Sequence, residues 1–194
     1  MKKAIFLDKD GTLIVDVAYN VNPEKVTLSK DCVRGLKRLQ QHGYLLVIVS
    51  NQSGIAHGYF DKDKLSAVEH KIKMMLYAHD IILNGFYYCP HHPDGKVKPY
   101  AISCNCRKPQ PGLLLKAAKD LAIDLQASWM IGDILNDVEA GNRAGCRSIL
   151  IDNGNETEWI YNEMRKPAAT IKNINMAADY IISTIKKDEH LVRL

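Results

Sequence analysis

Short apolar runs alternate with amphipathic stretches along this chain. Ala4-Ile5-Phe6-Leu7, Tyr44 to Val49, Trp129 to Gly132 and Ser148 to Ile151 are almost free of polar residues. Strands buried on both faces of a parallel sheet read this way. Between them, Lys30 to Gln41 sets Cys32, Val33, Leu36 and Leu39 at helical spacing, with Ser29 as N-cap. Asp61 to His79 puts Leu65, Val68, Ile72, Met75 and Leu76 on one helical face. Pro111 opens a helix that reaches about Ile123, and Asp137 to Ala144 and Met176 to Lys187 form two more. Gly85 to Tyr88 reads as a short strand and Thr170-Ile171 as an edge strand. This alternation predicts an α/β fold with a doubly wound, Rossmann-like parallel sheet. With no repeat, low-complexity tract or linker, residues 1–194 form a single expected domain, with an elaborated loop over 89–106.

Composition adds limits. The chain has 194 residues, enough for a sizeable core, and a net charge of only +4 with its lysines scattered. That argues against a nucleic-acid partner. No apolar stretch nears the ~18 residues of a membrane span, and Met1 to Ile5 is not followed by a signal-peptide core. The expected setting is the cytoplasm, without membrane contact, and the chain is expected to act as a monomer. Five cysteines in such a chain argue against a disulfide framework.

The chemistry gathers where strands end. Asp8-Lys9-Asp10-Gly11-Thr12 follows the first apolar run directly, and ligand sites of open α/β sheets lie beyond the carboxyl ends of their strands. Two carboxylates two residues apart on extended backbone point the same way. Their repulsion calls for a cation or a shared proton, and a hard ion such as magnesium suits carboxylate oxygens. An acidic turn is the plainer alternative. Ser50-Asn51-Gln52-Ser53-Gly54 ends the second strand with hydroxyls and amides able to cradle a phosphate. Arg107-Lys108 sits just before the helix opened at Pro111, a poor place for cations unless they face an anion. Gly132-Asp133 adds a carboxylate at the same edge, and Asp137 reads as the cap of its own helix.

The 89–106 loop holds a second cluster. Cys89-Pro-His91 and Cys104-Asn-Cys106 lie twelve residues apart, and three cysteines with one histidine make a closed tetrahedral zinc set. Prolines 90, 93 and 99 disfavour regular structure there, so a metal staple is a sensible means of ordering it. His91 and His92 compete for the fourth position.

Asp8-Lys9-Asp10-Gly11-Thr12, Ser50-Asn51, Lys108 and Gly132-Asp133, in that order, resemble the four motifs of the haloacid dehalogenase-like phosphotransferase superfamily. The resemblance implies Asp8 as nucleophile and Asp10 as general acid and base. It implies Mg2+ on the Asp8 carboxylate, the Asp10 carbonyl and the Asp133 carboxylate, with Ser50 and Lys108 holding the transferring phosphoryl group. Tyr87 to Pro93, Cys104 to Pro109 and Ser50 to Ala56 are similar to the D-glycero-D-manno-heptose 1,7-bisphosphate 7-phosphatase family, related to the histidinol-phosphatases. That family is capless, and the likeness selects His91 as the zinc ligand, leaving His92 to face solvent. It implies magnesium-dependent removal of the 7-phosphate in bacterial heptose and lipopolysaccharide biosynthesis, with catalytic Mg2+ and structural Zn2+. Asp16, Val17, Ala18 and Tyr19 would shape the substrate entrance, Asn51, Gln52 and Ser53 would contact substrate, and Arg107 would meet the second phosphate or sugar edge. One departure stands out: Ile134 occupies a place where many of these enzymes carry lysine.

Other readings are histidinol-phosphate hydrolysis, a phosphoryl-accepting signalling receiver, a DNA 3′-phosphatase and a non-catalytic zinc module. Histidinol-phosphatases tend to have a shorter loop between the ligand pairs. A receiver would not need the acid/base of Asp10, no aromatic-interleaved basic groove is visible, and an inert module would not need the acidic set.

Overall fold

A computed structural model describes residues 1–191. Six strands form one wholly parallel sheet: β1 (Lys3–Leu7), β2 (Tyr44–Asn51), β3 (Leu83–Cys89), β4 (Trp129–Gly132), β5 (Arg147–Ile151) and β6 (Ala169–Ile171). Their order is β3-β2-β1-β4-β5-β6, so the connections reverse direction between β1 and β4. A crevice opens at such a switch point. The register pairs Leu7 with Ile48 on one side and Ile131 on the other, which brings the ends of β1, β2 and β4 level.

Alternation along the strands builds two cores. Ile5, Leu7, Leu46, Ile48, Trp129, Ile131, Ile149 and Ile151 face one side. They pack against α1 (Cys32–Gln41), α3 (Lys64–Tyr77) and α6 (Ile174–Leu191), a helix separate from the short α2 (Gly54–His57). Ala4, Phe6, Val47, Val49 and Met130 face the other, against α4 (Gly112–Leu121) and α5 (Leu135–Ala144). Successive residues of a strand point to opposite faces, so both faces can be apolar only if helices cover both. Gly35 lets α1 and α6 touch, because a Cβ there would strike the backbone of Ile174 and Asn175.

The expected doubly wound α/β architecture is what the chain adopts, with shifted ends. α3 begins at Lys64 rather than Asp61, and β3 runs from Leu83, beyond the expected Gly85–Tyr88. α4 stops at Leu121 because Ala122 takes a left-handed conformation, φ 56°. α6 starts two residues early because the Asn173 side chain accepts from Met176 N–H at 2.9 Å. α5 starts at Leu135, so Asp137 lies inside the first turn and reaches back to Ile134 N–H. The short α2 and two single-turn 3₁₀ segments, Pro23–Lys25 and Glu163–Arg165, carry no periodicity and were not expected. No helix among the described residues is long and apolar enough to cross a membrane.

Candidate active site and cysteine cluster

Asp8 stands one residue past β1, its N–H donating to Ile131 O at 3.0 Å, and so lies at the switch point. Gly11, φ 79°, turns the chain away; a Cβ there would collide with Asp133 Oδ2 and Asn155 Nδ2. Thr12 folds back, donating to Asp133 Oδ1 at 3.0 Å. Asp8, past β1, and Asp133 and Asp137, where β4 runs into α5, can bring carboxylate oxygens within 4.8 Å of one another. All three are buried.

Lys108 supplies the counter-charge. Its ammonium, also buried, pairs with Asp8 and with Asp137 Oδ1, the latter at 2.6 Å. Burial, the largest single influence, pulls the Lys108 pKa down, but Asp137 and Asp8 together outweigh it and hold it above its usual value. Asn51 fixes the segment: its amide donates to Lys108 O and accepts from Lys108 N–H, both at 3.0 Å. Asp137 was read as a helix cap alone; it is that and the ammonium's partner. A carboxylate in a helix's first turn can serve either role, so the cap hides the second one.

Asp10 is held at both oxygens. Lys9 Nζ lies 2.7 Å from Oδ1, and Gln52 Nε2 donates to Oδ2 at 3.1 Å and to Ser50 Oγ at 2.8 Å. Asn51 and Gln52, expected to touch substrate, thus also organise Lys108, Asp10 and Ser50. A cavity of about 280 Å³ opens beside Asp10, lined by Asp16, Ala18, Tyr19, Asn51, Gln52 and Ser53 among others. Val17 and Arg107 are not among its lining residues; Arg107 instead donates from Nη1 to His91 O at 3.3 Å.

The charge balance fits a divalent cation. Four carboxylates (Asp8, Asp10, Asp133, Asp137) against two ammonium groups (Lys9, Lys108) leave a formal −2 in one pocket. Burial raises the Asp8 carboxyl well above its usual value, opposed by Lys108 and reinforced by the neighbouring acids. Burial and then Asp137 push Asp133 up to about 6, against the hydrogen bonds of Asn155 and Thr12. Folded Asp133 thus holds its proton more tightly than the unfolded chain does. Stability of the metal-free protein should fall as pH rises from about 4 to about 6, by about 2–3 kcal/mol from this group. Asp133→Asn keeps an acceptor for the Asn155 amide and offers Thr12 an N–H that its hydroxyl can turn to accept, while removing the charge. In chelator the variant should be the more stable protein at pH 7.5 and little different at pH 4.5, as read by denaturant melts. A variant less stable at both pH values would contradict this charge accounting.

Cys89, His91, Cys104 and Cys106 form the second cluster, with ligand atoms able to lie within 4.8 Å of one another. Cys106 Sγ is 2.9 Å from Cys89 Sγ, 3.2 Å from Cys104 Sγ and 3.3 Å from His91 Nδ1. Contact with Cys89, then Cys104 and His91, holds the Cys106 thiol down to about 5 despite burial, and the thiolate is the metal-binding form. A three-sulfur, one-imidazole set in a closed arrangement fits zinc. His92 does not simply face solvent. Its ring centroid lies 4.8 Å from that of His57, and its side chain is 23% exposed.

Comparison with known proteins extends these observations. The family described as "Mitochondrial PGP phosphatase" matches residues 1–101, and the one described as "HAD-hyrolase-like" matches 105–177. The D-glycero-beta-D-manno-heptose-1,7-bisphosphate 7-phosphatase of Pasteurella multocida is 44% identical over 151 residues, 78% of this chain and 82% of its own. The Escherichia coli K12 protein of that name is 37% identical over 178 residues, covering 87% and 93%. Among solved structures, the D,D-heptose 1.7-bisphosphate phosphatase of B. bronchiseptica, complexed with magnesium and phosphate, superposes with a TM-score of 0.77 at 27% identity, covering 94% of this chain and 99% of its own.

Proposed function

The chain belongs to the D-glycero-beta-D-manno-heptose-1,7-bisphosphate 7-phosphatase family of HAD-like phosphatases, and from that membership we propose that it removes the 7-phosphate of the beta anomer in bacterial heptose biosynthesis. It is a phosphomonoesterase. The observation that carries the mechanism is the buried Asp8 carboxylate, paired with Lys108 at the sheet's switch point, with Asp10 two residues on.

An Asp8 oxygen attacks phosphorus in line, and the sugar oxygen leaves as an aspartyl phosphate forms on Asp8. Asp10 gives its proton to that oxygen, then takes one from the water that hydrolyses the acyl phosphate. Lys108 and the Ser50 hydroxyl hold the phosphoryl oxygens as charge spreads over them. Asp137 keeps the ammonium aimed when Asp8 is engaged. Magnesium fits the pocket's formal −2 and would be held by the Asp8 carboxylate, the Asp10 carbonyl and the Asp133 carboxylate. When bound, it screens the nucleophile from the anionic substrate.

Zinc on Cys89, His91, Cys104 and Cys106 is structural in this reading, because four protein ligands leave no open position. Protein purified without chelator should carry one zinc per chain, and Cys104→Ser should carry much less, as elemental analysis reads. Zinc-free wild-type protein of full activity would reject the assignment.

Arg107 tests the substrate. If it grips the distal phosphate or sugar edge, it does so in the ground state and the transition state alike. Arg107→Ala should therefore raise KM for the bisphosphate about ten- to a hundredfold with kcat little changed, and leave a small monophosphate nearly unaffected. Equal loss on both substrates would place Arg107 at the reaction centre and remove its support for a bisphosphate.

A further inference from the structure

The segment just past β5 takes no part in the steps above, yet it touches three pieces of the site. The Asn153 amide donates to Gly11 O at 2.7 Å. The Asn155 amide donates to Asp133 Oδ2 at 2.6 Å. Glu156 accepts from Leu135 N–H, at the start of α5, at 2.6 Å. The segment closes on itself through Asn155 N–H to Asn153 Oδ1 at 3.1 Å, with Gly154 at φ 96°. The turn after Asp10, the Asp133 carboxylate and the first turn of α5 thus hang from four consecutive residues.

Asp133 shows what this tether achieves. Thr12 occupies one lone pair of Oδ1 and Asn155 one of Oδ2, so rotation of the carboxylate breaks both bonds. Ile134, next in the chain, has no polar group to offer. Gly11 admits no side chain because Asp133 and Asn155 fill that space. The tether is also anchored independently of Asn155: Asp152 N–H donates to Ile171 O at 2.7 Å and its carboxylate pairs with Lys172 at 2.6 Å. Loss of one amide therefore leaves the segment attached.

We propose that Asn155 is a positioning residue that fixes the Asp133 carboxylate for the divalent cation. Asn153 does the same for the Gly11 turn that follows the Asp10 carbonyl. The inference rests on the reading of Asp133 as a cation ligand. Groups that orient metal ligands contribute about 10–100-fold in metal affinity when removed.

The test is direct binding of Mn2+, followed by electron paramagnetic resonance without substrate, to wild type, Asn155→Ala, Asn155→Leu and Asp133→Asn. Asn155→Leu keeps the volume and removes the donor, and thermal melts in chelator check that each variant is folded. Both Asn155 variants should weaken Mn2+ binding by about 10–100-fold. Their melting in chelator should stay near wild type, and kcat should recover at saturating Mg2+. Unchanged affinity in the folded Asn155 variants, with Asp133→Asn binding lost, overturns the role of Asn155 alone. Unchanged affinity in all variants overturns the reading of Asp133 and this inference with it.

Discussion

Asp8→Asn is expected to yield a folded protein that releases no phosphate above background. The amide has no charged oxygen to attack phosphorus, and no other carboxylate holds the same place: Asp137 is committed to Lys108 and its helix, Asp133 to Thr12 and Asn155. The fold should survive, because the substitution removes a charge whose burial is already unfavourable and Lys108 keeps Asp137 as partner. Phosphate release is measured after contaminating phosphatase has been excluded, with circular dichroism on the same sample. Substantial turnover by the folded variant would sink the nucleophile assignment.

Asp10→Asn should cost about 10²–10⁴-fold in kcat, the usual range for removal of a general acid or base. The loss should depend on the leaving group. A sugar alkoxide needs the proton that Asp10 delivers, whereas an activated aryl oxide departs without it. The amide oxygen can still accept from Gln52, but its NH2 then faces the Lys9 ammonium, so one of the two holds on this side chain is lost together with the proton. An equal loss on sugar phosphate and aryl phosphate would mean that Asp10 acts by placing its backbone rather than by moving protons.

The sheet and the strand-end motifs were legible because parallel strands buried on both faces leave uninterrupted apolar runs, and each run ends where the polar residues begin. Trp129–Gly132 was legible to the residue for that reason. What escaped was tertiary. Asn155 lies 22 positions from Asp133, and nothing in the residues between them marks the contact. The second role of Asp137 was hidden behind its cap, although a carboxylate four residues after Asp133, in a helix's first turn, is the signal that could have revealed it. Nothing in the sequence marks Lys9 as buried; its side chain is 1% exposed and bonded to Asp10. α5 and α6 each start two residues early because caps act from inside the first turn at α5 and from just ahead of it at α6.

Steady-state kcat/KM on one enzyme preparation decides the substrate. The comparison includes the beta and alpha anomers of heptose 1,7-bisphosphate, histidinol phosphate and an activated aryl phosphate. The beta bisphosphate should be the best substrate, exceeding the monophosphates by at least the roughly tenfold that one charge-assisted contact to the distal group provides. Histidinol phosphate turned over as efficiently as, or better than, either bisphosphate would contradict the account.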